Sequence, residues 1–482
     1  MSGLPTLNDR RPAPVVVPDA STRAAFLRDV EAQLPDLRLL TDALDVDPYR
    51  RDETAYLQPP PPLAVALPTN TAQVAELVRL AAVHRVPVVA RGAGTGLSGG
   101  SIAVDGGLTV AFTRMNRVLE IDRANLVVVT QPGVINADLK KAVAAEGLFY
   151  APDPASYETC TIGGNLGTNA GGLCCVKYGV TRDAVIGLEV VTADGSVVRL
   201  GGRTVKDVAG YGLIPLIVGS QGTLALITEA TLRLRPTPPP KATLIAFFAS
   251  LDGAGRAVSA MTAAGVEPCT LELMDRTTIR AVDDDHQLGL DRDAAAMLLV
   301  ESDLPGQAAS EALATAAAAC ESTGATSTMI AANAAEADWL RQARRLAFHS
   351  MERLGVARME DVGVPRGRVP ELLAAIERVA VEQGLTIATF GHVGDGNLHP
   401  NIILERDDPD GEAKLLRATD ALYRAAIALG GTVTGEHGIG TSRRDYLELQ
   451  RGPGAVAMMR SIKTALDPLG ILNPGKMLPD GD

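Results

Sequence analysis

The chain of 482 residues is 46% hydrophobic and carries a formal net charge of -12 at pH 7. This length predicts roughly two or three domains. The negative charge argues against a nucleic-acid partner, because binding to phosphates needs a clustered positive face. The N-terminal stretch MSGLPTLNDRRPAPVVVPDAS lacks the apolar core of a signal peptide, and no apolar run approaches the roughly 20 residues that span a bilayer. We expect a cytoplasmic protein, and peripheral docking at a membrane remains open.

The first half of the chain predicts helices and strands around a glycine-rich loop. TNTAQVAELVRLAAVHR predicts a helix capped by Asn70 or Thr71, and VPVVA predicts a buried strand directly before the loop RGAGTGLSGGS. LTVAF, LVVVT and GTLALITEATLRLRP predict further strands, and a helix is predicted over 137–146. Asp194-Gly195 predicts the turn of a hairpin. The prolines of RPTPPPK, at 235–241, predict a linker without regular structure.

The second half of the chain predicts an α+β pattern. ATLIAFFAS, AMLLVES and TIATFGHV predict strands, whereas QAASEALATAAAACES and EADWLRQARRLAFHSMERL predict helices. The tail RSIKTALDPLGILNPGKML predicts a helix followed by a turn. We expect a first domain over 1–240 with its core at about 59–237, a second domain over 241–429, and a C-terminal segment, 430–482, that returns to the first domain.

The glycine loop has the spacing of a dinucleotide-binding fingerprint at Gly94, Gly96 and Gly99. A Rossmann domain needs a helix directly after the loop, and here more glycine and then a strand follow, so we reject that fold. A loop between strands can still bind a pyrophosphate through its backbone amides. Two further glycine-rich stretches, PDPASYETCTIGGNLGTNAGG and GSQGTLALITE, predict with it one long groove for an extended, phosphorylated ligand.

The order of these stretches resembles the FAD-binding domain of the vanillyl-alcohol oxidase and p-cresol methylhydroxylase superfamily. The resemblance is carried by PVVARGAGTGLSGGS, APDPAS, TIGGNLGTNAGG, KYG and GSQGTLALITEATLRL. It implies an α+β protein, with a two-subdomain FAD-binding domain of the p-cresol methylhydroxylase type and an α+β (ferredoxin-like) cap domain. Some members bind FAD covalently through a histidine in the first loop. Thr95 stands at that position here, so we expect non-covalent FAD. Gly212 and Gln221 depart from the family, in which Asp and Glu are common.

The resemblance also implies which residues bind the cofactor. The first loop is expected to wrap the pyrophosphate of FAD, and the second glycine-rich stretch is expected to line the isoalloxazine ring. The implied cofactor-binding residues are Arg91, Gly92, Ala93, Gly94, Thr95, Gly96, Gly99, Pro132, Pro154, Ala155, Ser156, Gly163, Gly164, Asn165, Thr168, Asn169, Gly171, Gly172, Gly222, Ile227 and Asn473.

Three of the six histidines lie in two short motifs, TFGHVGDGNLHPNI and TVTGEHGIGTSRR. The first motif predicts a hairpin with its turn at 394–397, in which His392 pairs with His399 and Asn401 shares their face. Such a pair can direct two imidazoles at one metal ion. Glu436 could supply a third ligand, and His437 would then act as a general base. Two exposed hairpin histidines, and a Glu-His pair that caps a turn, are the alternatives.

GHVGDGNLHPNI together with GEHGIG narrows the resemblance to one subgroup. It contains D-lactate dehydrogenase, the flavin subunit of glycolate oxidase and D-2-hydroxyglutarate dehydrogenase. By this resemblance His392, His399 and Glu436 bind a divalent metal, Zn or Mn. His437 is then the base, and Asn401 contacts the substrate.

WLRQARRLAFHSMERLGVARMEDVGVP matches the same subgroup less closely. It puts Arg344 where the family has an arginine that grips the substrate carboxylate, which a guanidinium can hold through two parallel hydrogen bonds. A solvated helix arginine is the alternative. D-2-hydroxyglutarate dehydrogenases carry Lys-Tyr-Asp where this chain has Met359-Glu360-Asp361. The missing lysine favours a substrate with one carboxylate.

We therefore expect an FAD- and metal-dependent dehydrogenase that oxidises a small anionic D-2-hydroxy acid, D-lactate or glycolate, to the 2-oxo acid by hydride transfer to flavin. D-2-hydroxyglutarate oxidation is the nearest alternative. A metal hydrolase with nucleotide-binding glycine loops, an FAD enzyme without net redox chemistry, and a non-catalytic flavoprotein subunit are the others. A quinone, an electron-transfer flavoprotein, a cytochrome or oxygen would fit as the electron acceptor. Both a homodimer and a complex with partner subunits remain open.

Overall fold

The structure, a computed structural model, describes residues 17–54 and 56–479. The N-terminal stretch that lacks the features of a signal peptide covers residues 1–21. Residues 1–16 of this stretch lie outside the described residues. The chain forms two compact units. The terminal unit contains the described residues of 17–171, 180–237 and 436–479, and the central unit contains 172–179 and 238–435.

The regular elements are numbered in chain order. The strands are β1 Arg38–Leu40, β2 Ala64–Leu67, β3 Val88–Arg91, β4 Leu108–Ala111, β5 Val118–Asp122, β6 Val127–Thr130, β7 Leu148–Phe149, β8 Val185–Val191, β9 Val197–Gly201, β10 Leu226–Arg233, β11 Arg235–Pro236, β12 Ala242–Phe248, β13 Thr270–Asp275, β14 Ala296–Ser302, β15 Ala325–Ile330, β16 Val356–Met359, β17 Val362–Gly363, β18 Thr386–His392 and β19 Asn397–Leu404. The α-helices are α1 Ala20–Gln33, α2 Ala43–Val46, α3 Thr71–His84, α4 Asn136–Ala144, α5 Ile162–Thr168, α6 Cys175–Tyr178, α7 Thr181–Ala184, α8 Leu213–Ile217, α9 Leu251–Ala263, α10 Arg276–His286, α11 Gln307–Ser322, α12 Ala334–Glu352, α13 Val369–Gln383, α14 Gly411–Ala428, α15 Leu447–Arg451 and α16 Pro453–Leu466. None of these described helices combines the length and the apolar character that crossing a bilayer requires.

The first sheet of the terminal unit has the strand order β1-β2-β4-β3. β4 lies parallel to β2 and to β3, and all four of its residues are buried, as is typical of parallel strands. α3 packs on this sheet through Leu77 and Val78, which share a core with Val110. The helix begins after Asn70, whose side chain accepts a hydrogen bond from the backbone N–H of Gln73 at 3.0 Å. The predicted helix and its N-cap are confirmed.

The chain after β3 has no helix where a Rossmann domain would need one. β3 ends at Arg91, and the next regular element is β4, which begins at Leu108. The glycine-rich loop therefore leads from one strand to another. The rejection of a Rossmann fold is confirmed, and any anion at this loop would meet backbone amides rather than a helix N-terminus.

The second sheet of the terminal unit is antiparallel, with the order β5-β6-β10-β8-β9. β8 and β9 form the predicted hairpin, and Gly195 in its turn has a φ of 83°, which glycine adopts without strain. The tail has the predicted helix, α16, followed by a turn. Leu472 then bridges to Val88 in β3, and Nζ of Lys463 donates to the carbonyl of Thr223 at 2.7 Å. These contacts hold the C-terminal segment in the terminal unit.

The central unit has one large antiparallel sheet, in the order β15-β12-β14-β13-β18-β19-β16, with β17 also paired to β19. Every residue of β13 and β14 is buried, so both faces of the sheet are covered at its middle. α10 and α12 pack on the face that carries Met297 and Phe390, through residues such as Ile279 and Ala347. The α+β pattern predicted for this region is confirmed.

The prolines of RPTPPPK do not exclude regular structure throughout. Arg235–Pro236 forms β11 and pairs antiparallel with Leu148–Phe149, so that part of the linker prediction was wrong. A proline is tolerated in a strand that has a partner on one side only, because its missing N–H can face away from the ladder. The boundary between the two units follows, between Thr237 and Pro238.

Candidate active site

A cleft in the terminal unit follows the loop after β3. Its volume is about 1330 Å³, including its open mouth. Most of the residues predicted to bind the cofactor line it. These are Arg91, Gly92, Ala93, Gly94, Thr95, Gly96, Pro132, Pro154, Ala155, Ser156, Gly163, Gly164, Asn165, Thr168, Gly222 and Ile227. The three glycine-rich stretches, which are far apart in sequence, therefore meet in one groove.

Two glycines allow the chain segments that line the cleft to approach each other closely. A Cβ on Gly92 would lie 2.2 Å from Oγ1 of Thr161. Thr161 is the N-cap of α5, where it accepts a hydrogen bond from the N–H of Gly164 at 3.1 Å. A Cβ on Gly163 would lie 2.6 Å from the Cβ of Pro132. A larger residue at Gly92 would push the first and second stretches apart, and one at Gly163 would push the second stretch away from Pro132, so the groove depends on glycine here.

Arg91 lies buried at the start of the loop and offers a positive charge to the cleft. Its Nη2 donates to the carbonyl of Pro48 at 3.4 Å, and its guanidinium carbon lies 5.9 Å from the ring centroid of Tyr49. Burial lowers the pKa of Arg91, although the carboxylate of Asp52 opposes that shift. Nη1 has no hydrogen-bond partner among the described residues. Because buried polar groups are normally paired, an anionic group in the cleft would complete this site.

Some predicted cofactor-binding residues do not line the cleft, namely Gly99, Asn169, Gly171, Gly172 and Asn473. Nδ2 of Asn473 instead donates to the carbonyls of Gly100 and Gln221, at 2.8 and 2.6 Å, and so ties the tail to the loop. Asn169 ends α5 with a φ of 56°, and its Oδ1 accepts a hydrogen bond from the N–H of Arg182 at 2.8 Å. A Cβ on Gly171 would lie 2.6 Å from Oε2 of Glu436. Asn169, Gly171 and Asn473 thus make contacts within the terminal unit without lining the cleft, and Gly172 belongs to the central unit.

The motif GEHGIG contributes Glu436 and His437 to the lining of the same cleft. Oγ of Ser98 donates to the carbonyl of His437 at 3.0 Å. Oε1 of Gln221 accepts a hydrogen bond from the N–H of Gly440 at 2.8 Å. These bonds hold the predicted base against the glycine loop. Sequence reasoning missed Ser98, and it identified Gln221 only as a departure from the family pattern.

In the central unit, β18 and β19 carry His392 and His399 on one face. The register pairs His399 with Phe390 and His392 with Asn397, so the predicted direct pairing of the two histidines was wrong by two residues. The turn lies at 393–396, one residue earlier than predicted, and it is closed by the N–H of Gly396, which donates to the carbonyl of Val393 at 3.2 Å. A shift of two residues keeps each side chain on its face. The two ring centroids are 5.2 Å apart.

Each of these histidines has a buried carboxylate beside its Nδ1. In His392 this atom lies 2.7 Å from Oε1 of Glu272, and in His399 it lies 3.8 Å from Oδ1 of Asp361. Burial would raise the pKa of Glu272, but its interactions with His392 and Arg344 hold it below its ordinary value. Sequence reasoning missed both carboxylates as site residues. The one signal for Glu272 was its place as a lone glutamate in the apolar stretch LELM, since an unpaired charge is rarely buried.

Arg344 is not a solvated helix arginine, since only 8% of its surface is exposed. Its Nε donates to Oε2 of Glu272 at 2.7 Å, and its guanidinium carbon lies 4.3 Å from the ring centroid of Phe390. Its two terminal nitrogens have no hydrogen-bond partner among the described residues. A carboxylate could therefore accept a hydrogen bond from each of them.

Asn401 is fully buried on the same face of the sheet as the two histidines. Its Nδ2 donates to the carbonyls of Ala388 and His399, at 3.2 and 2.7 Å. Its Oδ1 has no hydrogen-bond partner among the described residues. The amide can therefore offer a ligand an acceptor but no further donor, and a substrate in contact with it would have to donate.

Two family models match the chain. The FAD binding domain matches 62–201, and the C-terminal domain of FAD linked oxidases matches 237–477. The chain is 43% identical over 430 residues to the glycolate oxidase subunit GlcD of Bacillus subtilis (strain 168), with 89% of this chain and 91% of that protein covered. It is 34% identical over 455 residues to the D-lactate dehydrogenase of Anaerostipes hadrus, with 92% and 95% covered.

Among solved structures, p-cresol methylhydroxylase is similar to the whole chain. The TM-score is 0.80 at 17% identity, and the match covers 96% of this chain and 98% of that one. At this identity the likeness shows the fold, and it confirms the predicted p-cresol methylhydroxylase type of architecture. Both family models and the identity to the two relatives lead to one conclusion: the chain belongs to the family of FAD-linked oxidases.

Proposed function

We propose that the chain is an FAD- and divalent-metal-dependent dehydrogenase that oxidises a D-2-hydroxy acid to the 2-oxo acid. The observation that carries the proposal is the pair of buried imidazoles, His392 and His399, on one face of the sheet. The carboxylate of Glu272 is bonded both to His392 and to Arg344, so it connects the histidine pair to the arginine. The relatives named for glycolate and D-lactate support a 2-hydroxy acid as substrate. The match to the FAD binding domain favours a flavoenzyme over a metal hydrolase.

The cleft of the terminal unit would hold FAD through its glycine-rich lining. Nη1 of Arg91, buried and without a partner among the described residues, suits a pyrophosphate oxygen. The loop amides can approach the same group because no side chains intervene at the glycines. Thr95 has no imidazole to link to the flavin, so the binding is non-covalent. When bound, FAD supplies the hydride acceptor that no side chain can provide.

His392 and His399 would hold a divalent metal, with Glu436 as the proposed third ligand. Because Nδ1 of His392 is bonded to Glu272, we propose that the metal is bound through its Nε2. Two imidazoles and a carboxylate suit Zn or Mn and leave positions open for a substrate. The assignment of Glu436 rests on the resemblance of the GEHGIG motif.

His437 would take the proton of the substrate hydroxyl, because an imidazole titrates close to neutral pH. Arg344 would hold the substrate carboxylate through its two terminal nitrogens and so fix the position of the α carbon. Its charge would also attract an anion to a chain whose net charge is -12. Asn401 would contact the substrate through Oδ1, which can only accept a hydrogen bond.

The surroundings of Asn401 favour a substrate with one carboxylate. Met359 is half-buried and pairs directly with Asn401 across β16 and β19. By the family resemblance, it occupies the position at which D-2-hydroxyglutarate dehydrogenases carry a lysine. A thioether offers no charge to a second carboxylate. Glu360 is engaged elsewhere, in a buried network with Thr419, at 2.9 Å, and Tyr423. D-lactate and glycolate are therefore the favoured substrates.

Anaerobic bleaching of the purified protein tests this proposal. We expect a yellow protein whose flavin absorbance is bleached by D-lactate or glycolate, more slowly by L-lactate, and hardly at all after metal removal by a chelator. Restoring the rate with added Zn²⁺ or Mn²⁺ would identify the metal. A colourless protein, or a yellow one that no 2-hydroxy acid bleaches, would contradict the proposed reaction. Bleaching that is unchanged by the chelator would contradict its metal dependence alone.

A further inference from the structure

We infer that Glu272 is a positioning residue that couples the proposed metal ligand His392 to the proposed carboxylate-binding Arg344. This inference rests on the proposed function and deepens it, since it explains how two groups with different tasks keep one geometry. Glu272 lies in β13, a strand at the middle of the sheet of the central unit, and only 1% of its surface is exposed.

The two oxygens of Glu272 serve different partners. Oε1 lies 2.7 Å from Nδ1 of His392, and Oε2 accepts a hydrogen bond from Nε of Arg344, also at 2.7 Å. An ionised carboxylate can accept both bonds at once, and each is strengthened by charge. A neutral amide of the same shape can accept one of them but would present a donor to the other. The bridge therefore requires a carboxylate at this position.

For His392, the bridge determines which nitrogen carries the proton. A carboxylate beside Nδ1 favours the form in which Nδ1 donates, which leaves the lone pair on Nε2. The same arrangement orients metal-binding histidines in proteins generally. The imidazole of His392 is thus held in one orientation and one tautomer before any ion arrives.

For Arg344, the bridge fixes the direction of the guanidinium plane. Nε is bonded to Glu272, and the guanidinium carbon lies 4.3 Å from the ring centroid of Phe390. With Nε engaged, the two terminal nitrogens form the part of the fork that can receive a carboxylate. Because the same carboxylate orients His392, a displacement of either partner is transmitted to the other.

Glu301 provides a matched control within the same sheet. It lies in β14, is also 1% exposed, and also pairs with an arginine of α12, since Nη1 of Arg341 donates to it at 2.9 Å. Its second partner is Lys241, at 2.8 Å, rather than a histidine. Glu301 therefore has the same burial and also bridges two nitrogen-bearing side chains, but neither of these is a proposed metal ligand.

The test compares Glu272→Gln with Glu301→Gln in the full-length, FAD-loaded protein. Co²⁺ titration of the metal-free protein should show about 10- to 100-fold weaker binding in E272Q, the range seen when the hydrogen-bond partners of metal ligands are removed, and unchanged binding in E301Q. The KM for D-lactate should rise at least about tenfold in E272Q only, at equal FAD content, because Arg344 loses its anchor. Co²⁺ affinity within twofold of the wild type in E272Q, or an equal loss in E301Q, would overturn the inference.

A readout without metal or substrate separates this inference from the proposed function. In ¹⁵N-histidine-labelled, metal-free protein, the ring nitrogens of His392 should report a protonated Nδ1 in the wild type and in E301Q, and a shift of the proton toward Nε2 in E272Q. No change in E272Q would overturn the coupling. A wild type that binds no Co²⁺ and is not bleached would instead overturn the proposed function. Should E272Q fail to fold, E272D, which keeps the charge with a shorter reach, should give an intermediate loss of Co²⁺ affinity.

Discussion

Gln221 links the glycine loop to the C-terminal segment through Gly440. Its Oε1 accepts a hydrogen bond from the N–H of Gly440 at 2.8 Å, and its Nε2 donates to Oγ of Ser98 at 3.3 Å. Gln221 is buried, and the nearby Gly438 leaves room for its amide, since a Cβ there would lie 2.4 Å from Nε2. One side chain thus joins two walls of the cleft in the terminal unit.

Gln221→Leu should therefore lower the free energy of unfolding by about 1–3 kcal/mol, because the N–H of Gly440 loses its acceptor. It should also release FAD more readily. Gln221→Glu keeps an acceptor for Gly440 and restores the residue that is common in the family, so it should retain both properties. Thermal unfolding and the FAD content per chain after gel filtration check this. Equal losses in the two variants would show that the hydrogen bond is not the cause.

His437→Ala should keep its flavin but lose at least about 100-fold in turnover, since a general base contributes about 10²–10⁴. The bond from Ser98 reaches the backbone carbonyl of His437 and does not depend on the imidazole, so the cleft should persist. Flavin absorbance and kcat with D-lactate are the measurements. His84→Ala is the control, because His84 is bonded to Asp29 at 2.7 Å and has no proposed role. Full turnover in H437A would exclude His437 as the base.

The element types were predictable because hydrophobic periodicity is a local signal. α3 follows from apolar residues at helical spacing after Asn70, and β18 and β19 follow from two apolar runs around a glycine-rich turn. The histidine face was predictable for the same reason, because strand side chains alternate and a two-residue error leaves the face unchanged. The register between β18 and β19 could not be predicted, because it depends on the conformation of the turn. Gly396 takes a φ of 86° there, and glycines at both 394 and 396 would allow several types of turn.

The contacts between the carboxylates and the histidines could not be predicted from the sequence. Glu272 is 120 residues from His392 along the chain, and the two meet only because β13 pairs with β18. Local patterns do not say which strands become neighbours, because that choice depends on the packing of the whole sheet. The same holds for Arg344, whose helix could be predicted but not the face of the sheet on which it lies.

The stability of the central unit should fall as the pH rises from about 4 to 6, owing to Asp275. Burial raises the pKa of Asp275 to about 6 from 3.8, so the protonated form is favoured in the folded state. Its stabilising contribution is complete below pH 3.8 and is lost as the pH passes through 6, by about 3 kcal/mol in all. Asp275→Asn should remove this dependence, although the amide can accept only one of the two hydrogen bonds that the N–H groups of Thr278 and Thr389 donate to Asp275.

Urea unfolding at several pH values measures this effect through the fluorescence of Trp339, the one tryptophan of the chain, which lies on α12 in the central unit. Asp407→Asn, at an exposed aspartate of the same unit, is the control and should leave the pH dependence unchanged. A slope between pH 4 and 6 that is the same in D275N and the wild type would show that another group is responsible.

Met359→Lys should shift specificity toward a dicarboxylate. Met359 pairs with Asn401 across the sheet, so a lysine there would place a positive charge on the face that carries the proposed substrate contacts, where a second carboxylate has no partner in the wild type. A hydrogen bond to a charged group contributes about 1.5–3 kcal/mol, so the ratio of kcat/KM for D-2-hydroxyglutarate to that for D-lactate should rise at least about tenfold. Met359→Leu keeps the apolar volume and should leave the ratio unchanged. If the ratio in M359K stays that of the wild type, the side chain at 359 does not face the substrate, and the preference for one carboxylate must come from another residue.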